Sequence, residues 1–191
     1  MLRRMTPVLT LIGPSGTGKS SIARELARRG LVRVQPTWTT RPRRRDEAGG
    51  VLEHRFVTEA VFGELVDADF FVGVVQLPGL PFRYGLPRLG PPTDDRVTTV
   101  LARAPFVPPL SRQVPQLLVY LIDDTSARAE QRILERGSGS VDVAARLSAH
   151  DAEAVRGRQV ADRIFVNRGR LDELVDDVGG ALRADCLETA R

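Results

Sequence analysis

Lysine is almost missing from this chain: of its 28 basic residues 27 are arginine, and the single lysine is Lys19. So strong a bias belongs to the whole composition and says little about any one arginine. It gives weight to the one position where arginine does not stand. Cysteine is equally scarce. One residue, Cys186, excludes a disulfide framework and a thiolate metal site, and it fits a reducing, cytoplasmic setting. No run approaches the ~20 apolar residues needed to span a bilayer, and residues 1–7 lead into a short apolar strand without a secretory apolar region. A soluble cytoplasmic protein with no membrane partner is expected. The 28 basic residues face 24 acidic ones, and a net charge of only +4 implies no nucleic-acid partner. What is present suffices for a core: 191 residues at 42% hydrophobic predict one domain, residues 1–191.

Residues 8–12 form an apolar run read as a buried parallel strand. A glycine-rich turn follows, then a helix over 20–29 with Ile22, Ala23, Leu26 and Ala27 at helical spacing and Gly30 placed to stop it. Residues 31–34 read as a second strand, and the arginine-dense 36–50 as a binding loop or disordered segment. Thr58 caps a short helix carrying Phe62, Leu65 and Val66. Residues 70–75 read as a strand and the Pro- and Gly-rich 79–92 as loop. Two more buried strands are expected at 97–101 and 117–122, with Pro105, Pro108 and Pro109 disfavouring a helix between them. Helices over 126–136, 141–158 and 171–183, a Gly-Ser hinge at 137–140 and a strand at 163–166 complete the chain. Strands alternating with helices make the fold class α/β with a mainly parallel sheet.

Gly13-Pro14-Ser15-Gly16-Thr17-Gly18-Lys19-Ser20 matches the phosphate-loop pattern G-x-x-x-x-G-K-[ST] between a predicted strand and a predicted helix. The glycines let successive N–H groups turn inward toward phosphate oxygens, and the helix N-terminus adds partial positive charge. Lys19 is then the group that reaches the β- and γ-phosphates, and Ser20 the hydroxyl for Mg²⁺, with Ser21 beside it. The cofactors implied are ATP and Mg²⁺. A phosphate loop alone names no reaction.

A second group of residues resembles the guanylate kinase family. Thr37-Trp38-Thr39-Thr40-Arg41, then Arg44 and Glu47, is similar to that family's acceptor-binding stretch. His54-Arg55-Phe56-Val57 falls near its Y-x-F-V, and Tyr84-Gly85 is similar to its Y-G pair. Arg132, Arg136-Gly137, Arg146 and Glu153 reproduce the spacing of its lid, and Asn167 looks like its base-side asparagine. The ordered set covers roughly residues 8–183. The resemblance implies a three-layer P-loop fold with a core (6–35, 95–131, 155–185), an acceptor-binding region (36–92) and a helical lid (132–150). It implies phosphoryl transfer from Mg-ATP to a small phosphorylated acceptor, by default GMP to GDP, in a monomer or homodimer. Lys19, Arg132, Arg136 and Arg146 would be catalytic. Residues 13–21 and Asn167 would bind the nucleotide, and Thr37, Arg41, Arg44, His54 and Tyr84 the acceptor. Such chemistry needs no covalent nucleophile, and no Ser/His/Asp or Cys/His arrangement is present.

The departures carry information too. Where the family has a guanine-reading glutamate stands Val72, and Leu101-Ala102-Arg103 stands where it has an aspartate. His54 replaces an acceptor-binding tyrosine, and Pro42 arrives one position early. Ribose 1,5-bisphosphate phosphokinases, which accept a base-free sugar phosphate, resemble guanylate kinases in fold and loop. His54 ahead of Glu59-Ala60-Val61-Phe62, and Gly79-Leu80 ahead of Arg83-Tyr84-Gly85, are similar to their pattern. Their tryptophan is absent near Val75, and their asparagine-serine-arginine segment is not clear at Arg103. A non-catalytic guanylate-kinase-like interaction module is the third reading, although such modules typically lose the phosphate loop. Of the remaining residues, Asp123 and Asp124 read as a helix-capping pair, with approach to Mg²⁺ as the alternative. His150 reads as a solvated mid-helix residue, Trp38, Phe70 and Phe71 as core or pocket wall, and Cys186 as an inert tail residue.

Overall fold

Buried parallel strands need apolar residues on both faces, and the run Val8–Ile12 supplies them as β1, the middle strand of a five-stranded sheet. In the computed structural model, which describes residues 7–43, 47, 53–76, 81–91, 94–135, 143–144 and 147–188, β1 pairs in parallel with β7 (Val97–Leu101) and β8 (Leu117–Asp123). Outside these lie β2 (Val32–Gln35) and β9 (Arg163–Val166), giving the all-parallel order β2-β7-β1-β8-β9. Alternation along β1 sends Leu9 and Leu11 to one face and Ile12 to the other.

On the first face helix α1 (Lys19–Arg28) packs through Ile22, Ala23 and Leu26, all fully buried, together with α6 (Leu171–Glu188) through Val175 and Val178. Each such leucine or isoleucine contributes about 1.5–3 kcal/mol by leaving water. On the second face Val100, Val119 and Leu121 meet Phe106 of a 3₁₀ turn (Ala104–Phe106) and Leu110 of α3 (Val107–Gln113). The chain is thus an α/β fold of three layers, with α4 (Ser126–Glu135) and α5 (His150–Val160) completing six helices among the described residues.

A second, four-stranded sheet has the order β4-β3-β6-β5. It is built from β3 (Thr37–Thr39), β4 (His54–Phe56), β5 (Phe71–Gln76) and β6 (Arg83–Pro87). Only the β3–β4 pair is parallel. Helix α2 (Glu59–Asp67) seals it with Phe62, fully buried and stacked on Phe71 at 4.8 Å.

Several expectations need correction. The stretch 36–50 holds strand β3 and 79–92 holds β6; both are short, and Pro87 ends β6 where a missing N–H is tolerated. The prolines of 105–109 do not forbid a helix: they occupy first turns, where no intrahelical partner is required, and α3 forms. Thr58 caps α2 as expected, its Oγ1 accepting from the Val61 N–H, but Val66 faces solvent. His150 is 2% exposed and begins α5. Helix α6 runs past 183, so Cys186 sits in its last turns, packed against the core, and burial raises its thiol pKa. That end is anchored by Asp185, which accepts from Tyr120 Oη and from Arg163. The hydrogen bond from Arg163 holds the Asp185 carboxyl below its ordinary range, and burial followed by Asp185 pushes the Tyr120 phenol up. Residues 136–142, with the expected hinge, lie outside the described residues.

Candidate active site

The turn leaving β1 is written in backbone geometry. Gly13, Gly16 and Gly18 have φ of 136°, 84° and 102°, where side-chain-bearing residues are strained. Two are also boxed in: a Cβ on Gly13 would lie 2.2 Å from the Ile122 carbonyl oxygen, and one on Gly16 2.6 Å from that of Ala129. The loop therefore curls against β8 and α4 and delivers the start of α1. That helix has no side-chain cap and no acidic residue in its first turn, which leaves its positive end to an anion. Thr17 Oγ1 donates to the Pro14 carbonyl at 3.1 Å, and Lys19 Nζ donates to the carbonyls of Gly13 and Pro14, each at 2.6 Å. Asn167, at the end of β9, braces the loop from behind. Its Nδ2 donates to the Thr17 carbonyl at 2.9 Å and its Oδ1 accepts from Gly169 N. The glycine cradle with its uncapped helix end fits a polyphosphate, and Ser20, the second residue of that helix, carries a hydroxyl on the cleft that could ligate magnesium.

The loop forms one wall of a cleft, with Gly13, Ser15, Gly16, Gly18, Lys19 and Ser20 on its surface. Facing them are Thr37, Arg41, His54 and Tyr84, four side chains brought together by the second sheet. Thr37 pairs with His54 across β3–β4, their Oγ1 and Nδ1 2.9 Å apart, and Tyr84 stands opposite Thr39 on β6. Arg41 follows β3, is 4% exposed, and its Nη1 donates to Glu47 Oε2 at 2.7 Å while Nη2 donates to Oε1. Its guanidinium also lies 5.0 Å from the Phe56 ring centroid. Burial works against its charge, but the Glu47 carboxylate and Tyr84 outweigh it and raise its pKa. A bidentate pair of this kind fixes the direction of the fork before any acceptor arrives.

Leu101, Ala102, Arg103 and Phe106, from the end of β7 and the turn after it, close the floor, with Ile133 of α4 at the rim. Arg132 itself is not on the cleft wall. Its Nη1 donates to the Gly16 carbonyl at 2.8 Å and to Asp124 Oδ2 at 2.5 Å, which docks α4 on the phosphate loop. Arg44, Arg136 and Arg146 lie outside the described residues. Asp123 and Asp124 are taken up locally: Asp123 pairs with Arg158, and Asp124 accepts from the Thr125 N–H as well as from Arg132. No group of three or more His, Cys, Asp or Glu that could hold a metal occurs among the described residues.

Sequence reasoning passed over two features. Arg103 was read as the place of a missing aspartate and of an unclear asparagine-serine-arginine segment, yet it lies in the cleft. Asp124 holds Arg132. The signal that could have found Arg103 is its position directly after a buried strand neighbouring β1, where phosphate-loop folds present their ligand-facing residues. Among the described residues no helix is long and apolar enough to cross a membrane.

No family model matches the chain. It is 31% identical to a ribose 1,5-bisphosphate phosphokinase, PhnN, of Ruegeria sp. (strain TM1040), over 95% of this chain and 88% of the relative. It is 29% identical to a guanylate kinase of Symbiobacterium thermophilum, over 96% of this chain and 88% of the relative. Among solved structures, the crystal structure of guanylate kinase from Anaplasma phagocytophilum matches with a TM-score of 0.73. That match covers 100% of this chain and 91% of that one at 20% identity, a likeness of fold. Phosphate loop, topology and near full-length relatives agree, and the chain belongs to the guanylate kinase-like family of P-loop kinases.

Proposed function

We propose that the protein transfers the γ-phosphoryl group of Mg-ATP to a phosphorylated acceptor that carries no guanine base, ribose 1,5-bisphosphate being the acceptor that fits best. The observation that carries this reading is the cleft floor. Among the described residues the cleft is lined by Lys19, Arg41, Arg103 and His54 but by no carboxylate. A guanine edge presents N–H donors that need an acceptor, and leaving them unmatched in a closed site is costly. Leu101, Ala102 and Phe106 have no side-chain acceptor to offer, and Val72 lines no part of the cleft. The nearby Glu47 and Glu153 each hold an arginine. A sugar bisphosphate asks instead for cations and hydroxyls.

The second reading is GMP to GDP, favoured by the guanylate kinases of similar full-length identity. The family resemblance alone makes it the default; the lack of a carboxylate in the described cleft lining is what favours the sugar bisphosphate in this reading.

Chemically the chain's task is positioning and charge. The loop amides and Lys19 would hold the donor phosphates. Ser20 would hold magnesium, which when bound neutralises phosphate charge. Arg41, aimed by Glu47, would grip the acceptor phosphate with Thr37, His54 and Tyr84. An acceptor phosphate oxygen forms the new bond to the γ-phosphorus as the bond to the β–γ bridging oxygen breaks, and ADP leaves. Arg132, with Arg136 and Arg146, is proposed to bring further positive charge when the lid closes and excludes water.

Phosphorus NMR of the protein incubated with Mg-ATP tests the reading. Ribose 1,5-bisphosphate is expected to yield ADP and a new sugar diphosphate, with GMP leaving ATP intact. GDP formed from GMP alone would establish the second reading, and ADP from neither acceptor would remove phosphoryl transfer.

A further inference from the structure

Two arginines line the cleft among the described residues, Arg41 and Arg103, and only the first has a role in the proposal above. Arg103 is not on the lid. It follows β7 in extended backbone as the residue that opens the 3₁₀ turn, so its Cα is fixed by the central sheet. Its side chain is 19% exposed. Nη2 donates to Ser15 Oγ at 3.1 Å, and Nη1 pairs with Glu153 Oε2.

Both partners matter. Ser15 is the middle of the phosphate loop and lines the cleft beside Lys19. Glu153 belongs to α5 and is 8% exposed, and its second oxygen, Oε1, is buried with no hydrogen-bond partner among the described residues. Removing one partner of a buried ion pair is strongly destabilising, which ties Glu153 and Arg103 to each other. The pair therefore fixes the guanidinium beside Ser15 of the loop. A guanidinium has five N–H donors, and two of them are engaged among the described residues.

The cleft is thus lined by the phosphate loop on one side and, on the other, by Thr37, Arg41, His54 and Tyr84, brought together by the second sheet; Arg103, which also lines it, touches the loop at Ser15. The group in transit between two phosphorylated molecules passes through that middle ground.

We propose that Arg103 is a further catalytic residue, contacting the γ-phosphoryl group and letting the site tell ATP from ADP, with Glu153 as its positioning residue. The inference rests on the kinase reading but not on which acceptor is used. Arg103 supplies charge and N–H donors to the phosphoryl oxygens as the β–γ bridging bond breaks and the bond to the acceptor oxygen forms.

The test measures dissociation constants of a non-hydrolysable ATP analogue (the β,γ-imido triphosphate) and of ADP, each with magnesium, by calorimetry. Wild type is compared with Arg103→Ala, Arg103→Gln and Glu153→Gln. In both Arg103 variants the triphosphate analogue is expected to bind about 10–100-fold more weakly, and ADP within about twofold of wild type. Glu153→Gln should lose a smaller part of the preference, about three- to tenfold. The glutamine variant removes the guanidinium charge but keeps a polar stem, so a loss confined to the triphosphate reports contact with the γ-phosphoryl group, and an equal loss for both nucleotides reports bracing of the loop. If Arg103→Gln keeps the wild-type ratio, Arg103 is a brace and the proposal is overturned. Equal weakening of both nucleotides would overturn it too, by locating the effect in the loop's structure. A wild type that binds neither nucleotide would instead bring down the kinase reading on which this one stands.

Discussion

The two ends of the cleft are built in opposite ways. The donor end is one stretch, residues 13–20, and works through backbone: positive-φ glycines, an uncapped helix start and carbonyls that park Lys19. The proposed acceptor end gathers side chains from β3, β4 and β6 and from Arg41 after β3, each held by a cross-strand neighbour or a counter-ion. A backbone site tolerates almost no change of shape but is indifferent to most flanking side chains. A side-chain site can alter its ligand by one or two substitutions while the fold stands. The contrast explains how one family keeps its donor and varies its acceptor.

The largest expected effect lies at the donor end. Lys19→Met should lower kcat/KM by about a thousandfold or more with any acceptor, since the lost charge acts on the transferring group itself, while the thermal midpoint stays close to wild type. Steady-state kinetics beside a melting curve checks both halves.

Gly16→Ala comes next and strikes shape. Its Cβ would meet the Ala129 carbonyl at 2.6 Å with φ at +84°, so a loss of about 2 kcal/mol or more in denaturant unfolding is expected, together with weaker nucleotide binding. If Gly16→Ala bound ATP like wild type, the backbone account of the donor end would fail.

The acceptor end should yield smaller, one-sided effects. Arg41→Ala is expected to raise the acceptor KM by about 10–100-fold with the ATP affinity unchanged, and Glu47→Gln to raise it less, since it only loosens the fork. Were the ATP affinity to fall in parallel, the two ends would not be separable as described.

The smallest effect tests a place remote from both ends. Asp185 is held below its ordinary pKa chiefly by Arg163, so its ion pair stabilises the fold fully above the unfolded carboxyl pKa of ~3.9, and that contribution is lost as pH falls from there through the lower folded-state pKa. Asp185→Asn should cost on the order of 1 kcal/mol at pH 7, and the gap to wild type should close as pH falls through the depressed folded-state pKa of Asp185, with kinetic constants unaffected. Melting curves across pH read this directly.

The same contrast explains what could be read from the chain beforehand. The phosphate loop, the central strands and the helix of 126–135 were legible because contiguous apolar runs and a backbone motif leave their mark in order. Thr37–Thr39 and Arg83–Pro87 were read as loop because three to five residues next to arginine or proline show no periodicity; pairing across the sheet makes them strands. His150 seemed solvated because polarity alone was visible, not the burial that tertiary packing imposes. Arg103 was lost among 27 arginines, and only its distances to Ser15 and Glu153 separate it from the rest. Asn167, expected on the base side, turns its amide to the loop's carbonyl.

The ratio of kcat/KM for ribose 1,5-bisphosphate to that for GMP, at saturating Mg-ATP, tests the central claim most directly. A floor of Leu101, Ala102 and Phe106 with no free carboxylate predicts a ratio above about 10 in favour of the sugar bisphosphate. A ratio below one would contradict it and return the acceptor end to guanine.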